Sequence, residues 1–129
     1  MKILICGSRN FSDKALIKGF INSCPDDTII IEGEARGADS IARDCALERG
    51  LIVEKFPANW DRDGKSAGPI RNSQMLKEGN PDIVVAYSDD LKNSKGTRHM
   101  ISISQRAGKD CYLNLPDLTF VGVLFKIDN

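Results

Sequence analysis

Short apolar runs recur along this chain, and each gives way to a polar loop that opens a stretch with helical spacing of its apolar residues. That alternation restricts the fold more than any other feature. Residues 2–6 are apolar on consecutive positions and stop at Gly7, as expected of a strand buried on both faces. Residues 28–32, 51–56, 82–87 and 110–115 read the same way. Between the first two runs, Leu16, Ile17, Phe20, Ile21 and Cys24 form an apolar stripe, with Ser12 as the expected N-cap and Phe11 and Leu16 as a hydrophobic staple. Ile41, Ala42, Cys45 and Ala46 form a second stripe on residues 38–49, closed by Gly50. A third helix is expected after Gly68, with Pro69 at its first position and Ile70, Met75 and Leu76 as its packing residues. A fourth opens at Gly96-Thr97 and ends at Gly108.

Strands separated by helices of this length are joined by right-handed crossovers. The expected architecture is an α/β fold: a mostly parallel sheet of five or six strands, covered by helices on both faces. A chain of 129 residues suits one domain, spanning residues 1–129. Residues 116–129 can supply an edge strand or a C-terminal extension packed on the sheet, and periodicity leaves both open.

Charge narrows the partners. Eighteen basic residues balance eighteen acidic ones, so no global field draws the chain to nucleic acid or an anionic membrane, and direct nucleic-acid binding is not expected. No apolar run approaches the length of a membrane span, and residues 1–7 are broken too soon for a signal peptide. A cytoplasmic location is expected. Cys6, Cys24, Cys45 and Cys111 are dispersed and read as reduced interior residues. With a single histidine, they give no metal-ligand cluster.

In a parallel sheet the ligand crevice lies beyond the carboxyl ends of the strands, where the distinctive loops of this chain fall. Gly7 permits close backbone approach, Ser8 offers a hydroxyl and Arg9 a guanidinium. Gly33 and Gly37 bracket a second loop containing Arg36, and the amides of Gly37 and Ala38 could face a phosphate. Asp39 could cap the following helix or accept a sugar hydroxyl, and Glu32 could be a buried acid. Pro69 sets Arg71 and Asn72 in an expected first helical turn, where an arginine could clamp a phosphate. Gly96 and Thr97 open a further helix as a second anion cradle. His99 is expected at the surface or in a cap. Trp60, in a long polar connection, could stack on a base, close a lid or pack locally. Asp61 and Asp63 alternate in that connection and could help hold Mg through ligand phosphates, although two carboxylates in a solvated loop are more often just polar surface.

The ordered segments Ile5-Cys6-Gly7-Ser8-Arg9, Gly33-Glu34-Ala35-Arg36-Gly37-Ala38-Asp39, Phe56-Pro57-Ala58-Asn59-Trp60, Gly68-Pro69-Ile70-Arg71-Asn72 and Gly96-Thr97 resemble the small bacterial and phage YspA-like, YpsA-related branch of the SLOG superfamily. The resemblance spans residues 2–115. It implies a Rossmann-like three-layer sandwich and a nucleotide or phosphoribose pocket built from Gly7, Ser8, Arg9, Gly33, Arg36, Gly37, Ala38, Asp39, Trp60, Arg71, Asn72, Gly96 and Thr97. The superfamily includes the LOG nucleotide phosphoribohydrolases and the Smf/DprA DNA-processing proteins. Arg71-Asn72 followed by Met75 is similar to the Arg-Lys-x-x-Met segment of LOG enzymes, with Asn72 in place of lysine. Lys95-Gly96-Thr97 stands where those enzymes carry Pro-Gly-Gly-x-Gly-Thr and a following catalytic glutamate; here the earlier glycines and the glutamate are absent.

The resemblance thus implies a protein that binds or senses a nucleotide-derived or ADP-ribose-like ligand, with no firm cofactor and with homodimerisation expected. The alternative is a nucleoside monophosphate phosphoribohydrolase, with Arg71 on the phosphate and Glu32, Asp39 or Glu34 replacing the missing acid. A DNA-processing accessory is the third reading.

Overall fold

The computed structural model describes residues 1–119 and 121–128. Residues 120 and 129, at the tail for which a strand or extension was expected, lie outside the described residues. A sheet of six strands has the order β3-β2-β1-β4-β5-β6, with β1 Lys2–Gly7, β2 Ile29–Glu32, β3 Ile52–Lys55, β4 Ile83–Tyr87, β5 Asp110–Leu115 and β6 Val123–Lys126. All pairings are parallel except β5 with β6, which is antiparallel. Helices α1 Lys14–Ser23, α2 Ala38–Arg49, α3 Trp60–Asp63, α4 Ala67–Gln74 and α5 Lys95–Arg106 connect the strands. This is a Rossmann-like three-layer α/β sandwich.

Consecutive apolar residues in β1 and β4 serve opposite faces because side chains alternate along a strand. Ile3, Ile5, Val85 and Tyr87 pack with α1 and α2 through Ile17, Phe20, Ile21, Ala42 and Ala46. Leu4, Cys6, Val84 and Ala86 pack on the other face with Met75, Met100 and Ile101. Leu4 and Ile5 are both 0% exposed, and burial of a side chain of this size contributes about 1.5–3 kcal/mol. Neither face of the central strands is spare, which leaves the carboxyl strand ends as the place for a ligand.

The helix starts differ from expectation in instructive ways. Asp13, not Ser12, caps α1, its carboxylate accepting from the Leu16 amide at 3.1 Å. The long polar connection is helical: Asn59 caps α3 by accepting from the Arg62 amide, and a 3₁₀ turn, Gly64–Ser66, carries the chain straight into α4. Pro69 is therefore the third residue of α4 rather than the first, and the helix start it was expected to mark is instead tied to the 3₁₀ turn, the Ala67 amide donating to the Gly64 carbonyl. Arg71 and Asn72 consequently sit in the second turn, beyond the reach of that helix's free amides. Ile70 is exposed, and packing falls to Ala67 and Met75. The tail forms an edge strand through β6.

Candidate functional site

The sheet order reverses between β1 and β4, and the loops that leave them run to opposite faces: β1 feeds α1, β4 feeds α5. A crevice opens at such a point. Gly7 fixes its floor. A Cβ there would stand 2.3 Å from the Tyr87 carbonyl oxygen and 2.5 Å from the Ala38 side chain, so only glycine lets the end of β1 meet the end of β4 and the start of α2. The Ser8 amide donates to the Tyr87 carbonyl at 2.9 Å, and the Ala38 amide donates to the Ser8 carbonyl at 3.4 Å. Ala38, one of the amides expected to face a phosphate, is thereby spent inside the protein; it does not line the crevice. Gly37 adopts φ 78° with its missing Cβ aimed at the Ser8 carbonyl, which lets the second loop fold down on the first.

Above this floor lies a cleft of about 690 Å³, continuous with a shallower lobe of about 430 Å³ through shared walls at Arg9, Ala35, Arg36, Trp60 and Arg71. Gly7, Ser8, Asn72, Gly96 and Thr97 also line the larger space, and Gly33 the smaller. Most residues singled out in the sequence thus converge on one concavity. At its far end, α5 begins without a side-chain cap: Ser94, the N-cap, instead bonds Ser88 Oγ and the Asp90 carbonyl. The amides of Lys95, Gly96 and Thr97 have no acceptor among the described residues. Unpaired first-turn amides carry the positive end of the helix dipole and favour an anion.

Arg71 crosses from α4 to the second loop, where its guanidinium donates to the Gly33 carbonyl. Its Nε donates to Asn72 Oδ1 at 3.0 Å. Burial lowers the pKa of Arg71, with the nearby Asp39 carboxylate opposing that shift and Arg9 adding to it. Burial is the leading cause of that shift, and a guanidinium drawn out of water gains from an anion that enters beside it. Arg9 also lies over the Trp60 ring, 5.6 Å from its centroid, in the range of a cation–π contact. Trp60 is 49% exposed and lines both lobes.

The acids divide. Asp39 lines the cleft, but its Oδ2 accepts from the Gly33 amide at 3.1 Å and the Ala35 amide at 3.5 Å. It therefore shapes the second loop instead of capping its own helix, whose N-cap is Gly37. Burial pushes its pKa up to about 6, against the pull of Arg71 and the two amides. Glu32 is 0% exposed and does not line the cleft. Its Oε1 accepts from the Glu34 amide at 2.7 Å, and burial holds its carboxyl far above the usual range. Glu34 forms an ion pair with Arg43 at 2.9 Å. Neither Asp61 nor Asp63 lines the cleft, and Asp63 is paired with Arg62. Among the described residues no cluster of potential metal ligands occurs.

His99, read from sequence as a surface or capping residue, is a half-buried part of the cleft wall and pairs with Asn72 at 3.1 Å. Its spacing from Thr97 was visible in the sequence; its pairing with a residue 27 positions away was not.

Residues 1–62 match the profile of the YspA, cpYpsA-related SLOG family. The chain is 34% identical over 116 residues to the gene 61 protein of Mycobacterium phage D29, an alignment covering 83% of this chain and 90% of that protein. The X-ray structure of DNA processing protein A (DprA) from Streptococcus pneumoniae superposes with a TM-score of 0.72 at 17% identity, over 91% of this chain and 51% of that one. The chain thus spans about half the length of DprA, and the likeness is one of fold. It nevertheless overturns the expectation that direct nucleic-acid binding is disfavoured, because this architecture occurs in a protein named for DNA processing. The expectation rested on overall neutrality, and net charge does not describe the local field of a cleft lined by Arg9, Arg36, Lys65, Arg71 and Lys95 against Asp39, Asp89 and Asp90. Among the described residues no helix is long and apolar enough to cross a membrane. By its profile match and its phage relative, the chain belongs to the YspA, cpYpsA-related SLOG family.

Proposed function

We propose that this protein binds a phosphorylated ligand of the nucleotide class in the cleft between the β1 and β4 loops and acts as a binding or sensing protein. The observation that carries this reading is the pairing, across one concavity, of the uncapped amides of Lys95, Gly96 and Thr97 with the guanidinium groups of Arg9, Arg36 and Arg71. Such a field recognises phosphate, and a cleft of about 690 Å³ leaves room for a sugar and base beyond it. The apolar part of the lining, the half-exposed Trp60 with the core residues Met75 and Met100, suits a heterocycle.

A second reading, hydrolysis of an N-glycosidic bond, is favoured by Asp39: it lines the larger cleft with Asp89 and Asp90, and burial raises its pKa to about 6, where a carboxyl can exchange a proton. Glu32 is sealed from the cleft and Glu34 is held by Arg43, so of the three acids expected from the sequence only Asp39 is left, and it also shapes the loop. Binding without turnover is the simpler use of the geometry.

Calorimetric titration with nucleoside mono- and diphosphates, inorganic phosphate and a single-stranded oligonucleotide, followed by chromatography of the recovered ligand, separates these readings. Saturable binding of a nucleotide recovered intact is the expected result. Release of free base would replace binding by hydrolysis, tight binding of the oligonucleotide alone would shift the ligand class, and no heat with any of them would overturn the proposal.

A further inference from the structure

Asn72 has both ends of its side-chain amide assigned by partners that can play only one part. Arg71 Nε, always a donor, reaches Oδ1 at 3.0 Å, and the Gly96 carbonyl, always an acceptor, receives from Nδ2 at 3.3 Å. Turning the amide over would set donor against donor at one end and acceptor against acceptor at the other, on a side chain only 5% exposed. Nδ2 is therefore also the donor in the 3.1 Å contact with His99 Nδ1. A ring nitrogen that accepts carries no proton, so the neutral imidazole bears its proton on Nε2. Nε2 has no partner among the described residues, and the ring lines the cleft.

The place of this donor in the cleft indicates what it meets. His99 stands beyond the free amides of Lys95, Gly96 and Thr97 on α5, and one residue before Met100, which with Met75 forms apolar lining. A phosphate would already face amides and guanidinium groups and would gain little from a neutral donor. The carbonyl oxygen or ring nitrogen of a base, resting on apolar side chains, would gain a directed hydrogen bond.

We propose that His99 is a ligand-contacting residue that selects the base: its Nε2–H, fixed on that nitrogen by the Arg71–Asn72 relay, donates to an uncharged acceptor of the bound nucleotide. The proposal rests on the nucleotide-class reading of the cleft. It assigns Asn72 as a positioning residue that acts through the imidazole, and it ties Arg71 to base recognition as well as to charge.

Two measurements test it. Long-range ¹⁵N–¹H correlation spectra of the wild-type protein report the tautomer of its single histidine; the Nε2–H pattern is expected when the ring is neutral. N72D offers His99 a carboxylate in place of a donor and should move the proton to Nδ1. An Nδ1–H pattern in the wild type would overturn the relay. Titrations of wild type, H99A and H99Q with nucleoside monophosphates and with inorganic phosphate then address the contact. H99A should weaken the preferred nucleotide about tenfold, the loss of one hydrogen bond, and leave phosphate unchanged. H99Q, whose amide N–H reaches toward the position of Nε2, should recover most of that loss. Equal weakening of nucleotide and phosphate would overturn base selection, as would nucleotide binding indifferent to H99A. Wild-type protein that binds no nucleotide at all would remove the proposed function itself, while the tautomer measurement would still judge the relay.

Discussion

Glu32 Oε1 accepts from the Glu34 amide at 2.7 Å, which ties the two acids together at the base of the second loop. Glu32 Oε2 and Glu34 Oε1 are both buried with no hydrogen-bond partner among the described residues, which suits a Glu32 carboxyl that keeps its proton. Glu34 can reach that position because its backbone takes φ 58°, an uncommon conformation for a residue with a side chain. The Glu32 side chain and the guanidinium of Arg43 hold Glu34 low, so it keeps its charge. Burial keeps the proton on Glu32.

This pair gives stability a signed dependence on pH. The Glu32 pKa rises from an ordinary 4.5 to about 9 on folding. Below the ordinary value both states hold the proton and nothing is lost; as pH climbs through the interval, the native state keeps a proton that the unfolded chain has released, and stability falls. Glu32→Gln imitates the protonated acid and still accepts from the Glu34 amide. The variant is expected to exceed the wild type by about 1–3 kcal/mol at mildly alkaline pH, with the two converging near pH 4–5. Urea unfolding across that range measures the difference. Parallel curves for the two proteins would show that Glu32 is ionised in the fold.

Gly7→Ala and Gly96→Ala should separate two uses of glycine in the same cleft. The added methyl at residue 7 meets backbone at 2.3 Å, which cannot move without parting β1 from β4, whereas nothing lies within 4 Å of a Cβ at residue 96. Overpacking of the first kind costs about 1–3 kcal/mol. In α5, alanine removes glycine's entropy cost, so stability there should hold or rise by up to about 1 kcal/mol. Thermal unfolding reads both, and a tolerated Gly7→Ala would mean that the strand ends are not packed as described.

The alternation of apolar runs and helical stripes made the sheet legible, because a strand covered on both faces must be apolar on consecutive positions, as in Leu4, Ile5 and Cys6. The loops at the carboxyl ends were legible for the same reason: once the strands are parallel, Gly7, Gly33 and Gly96 must fall on one edge. The helical turn at Trp60 was missed although Asn59, a good cap, precedes it and Asp61 and Asp63 follow; these are the residue types that favour a helix start. Contacts that join distant segments left no local trace. Arg71 on the Gly33 carbonyl lies 38 positions away in sequence, and the positive φ of Glu34, beside Glu32 in the second loop, has no signature in the residue type. The Ser12 and Asp13 caps compete on adjacent positions with equal propensity, and only the turn geometry chose between them.

Asn114 holds the edge of the sheet. It is 1% exposed, and its Nδ2 donates to the carbonyls of Val121 at 3.2 Å and Val123 at 3.3 Å. Asn114→Ala should cost about 1–2 kcal/mol and release the strand it fastens. Hydrogen exchange is expected to quicken at residues 121–126 with little change in β1. Uniform acceleration over the whole sheet would instead mean that the edge does not open by itself.

Arg9 and Trp60 form the part of the cleft best suited to report occupancy. The guanidinium lies 5.6 Å from the indole centroid, and Trp60 is the single tryptophan of the chain. A phosphate drawn into the cleft competes for Arg9 and so changes the environment of the ring. Nucleotide addition should produce a saturable change in tryptophan emission. Arg9→Ala should abolish most of that change and weaken binding about 10- to 100-fold, as expected for the loss of a hydrogen bond to a charged group. Raising the salt concentration should weaken the wild type more than the variant, because the variant has lost a screened charge pair. An Arg9→Ala protein that binds as tightly as wild type, with its emission still responding, would place the phosphate at the α5 amides and leave Arg9 a surface residue that packs on Trp60.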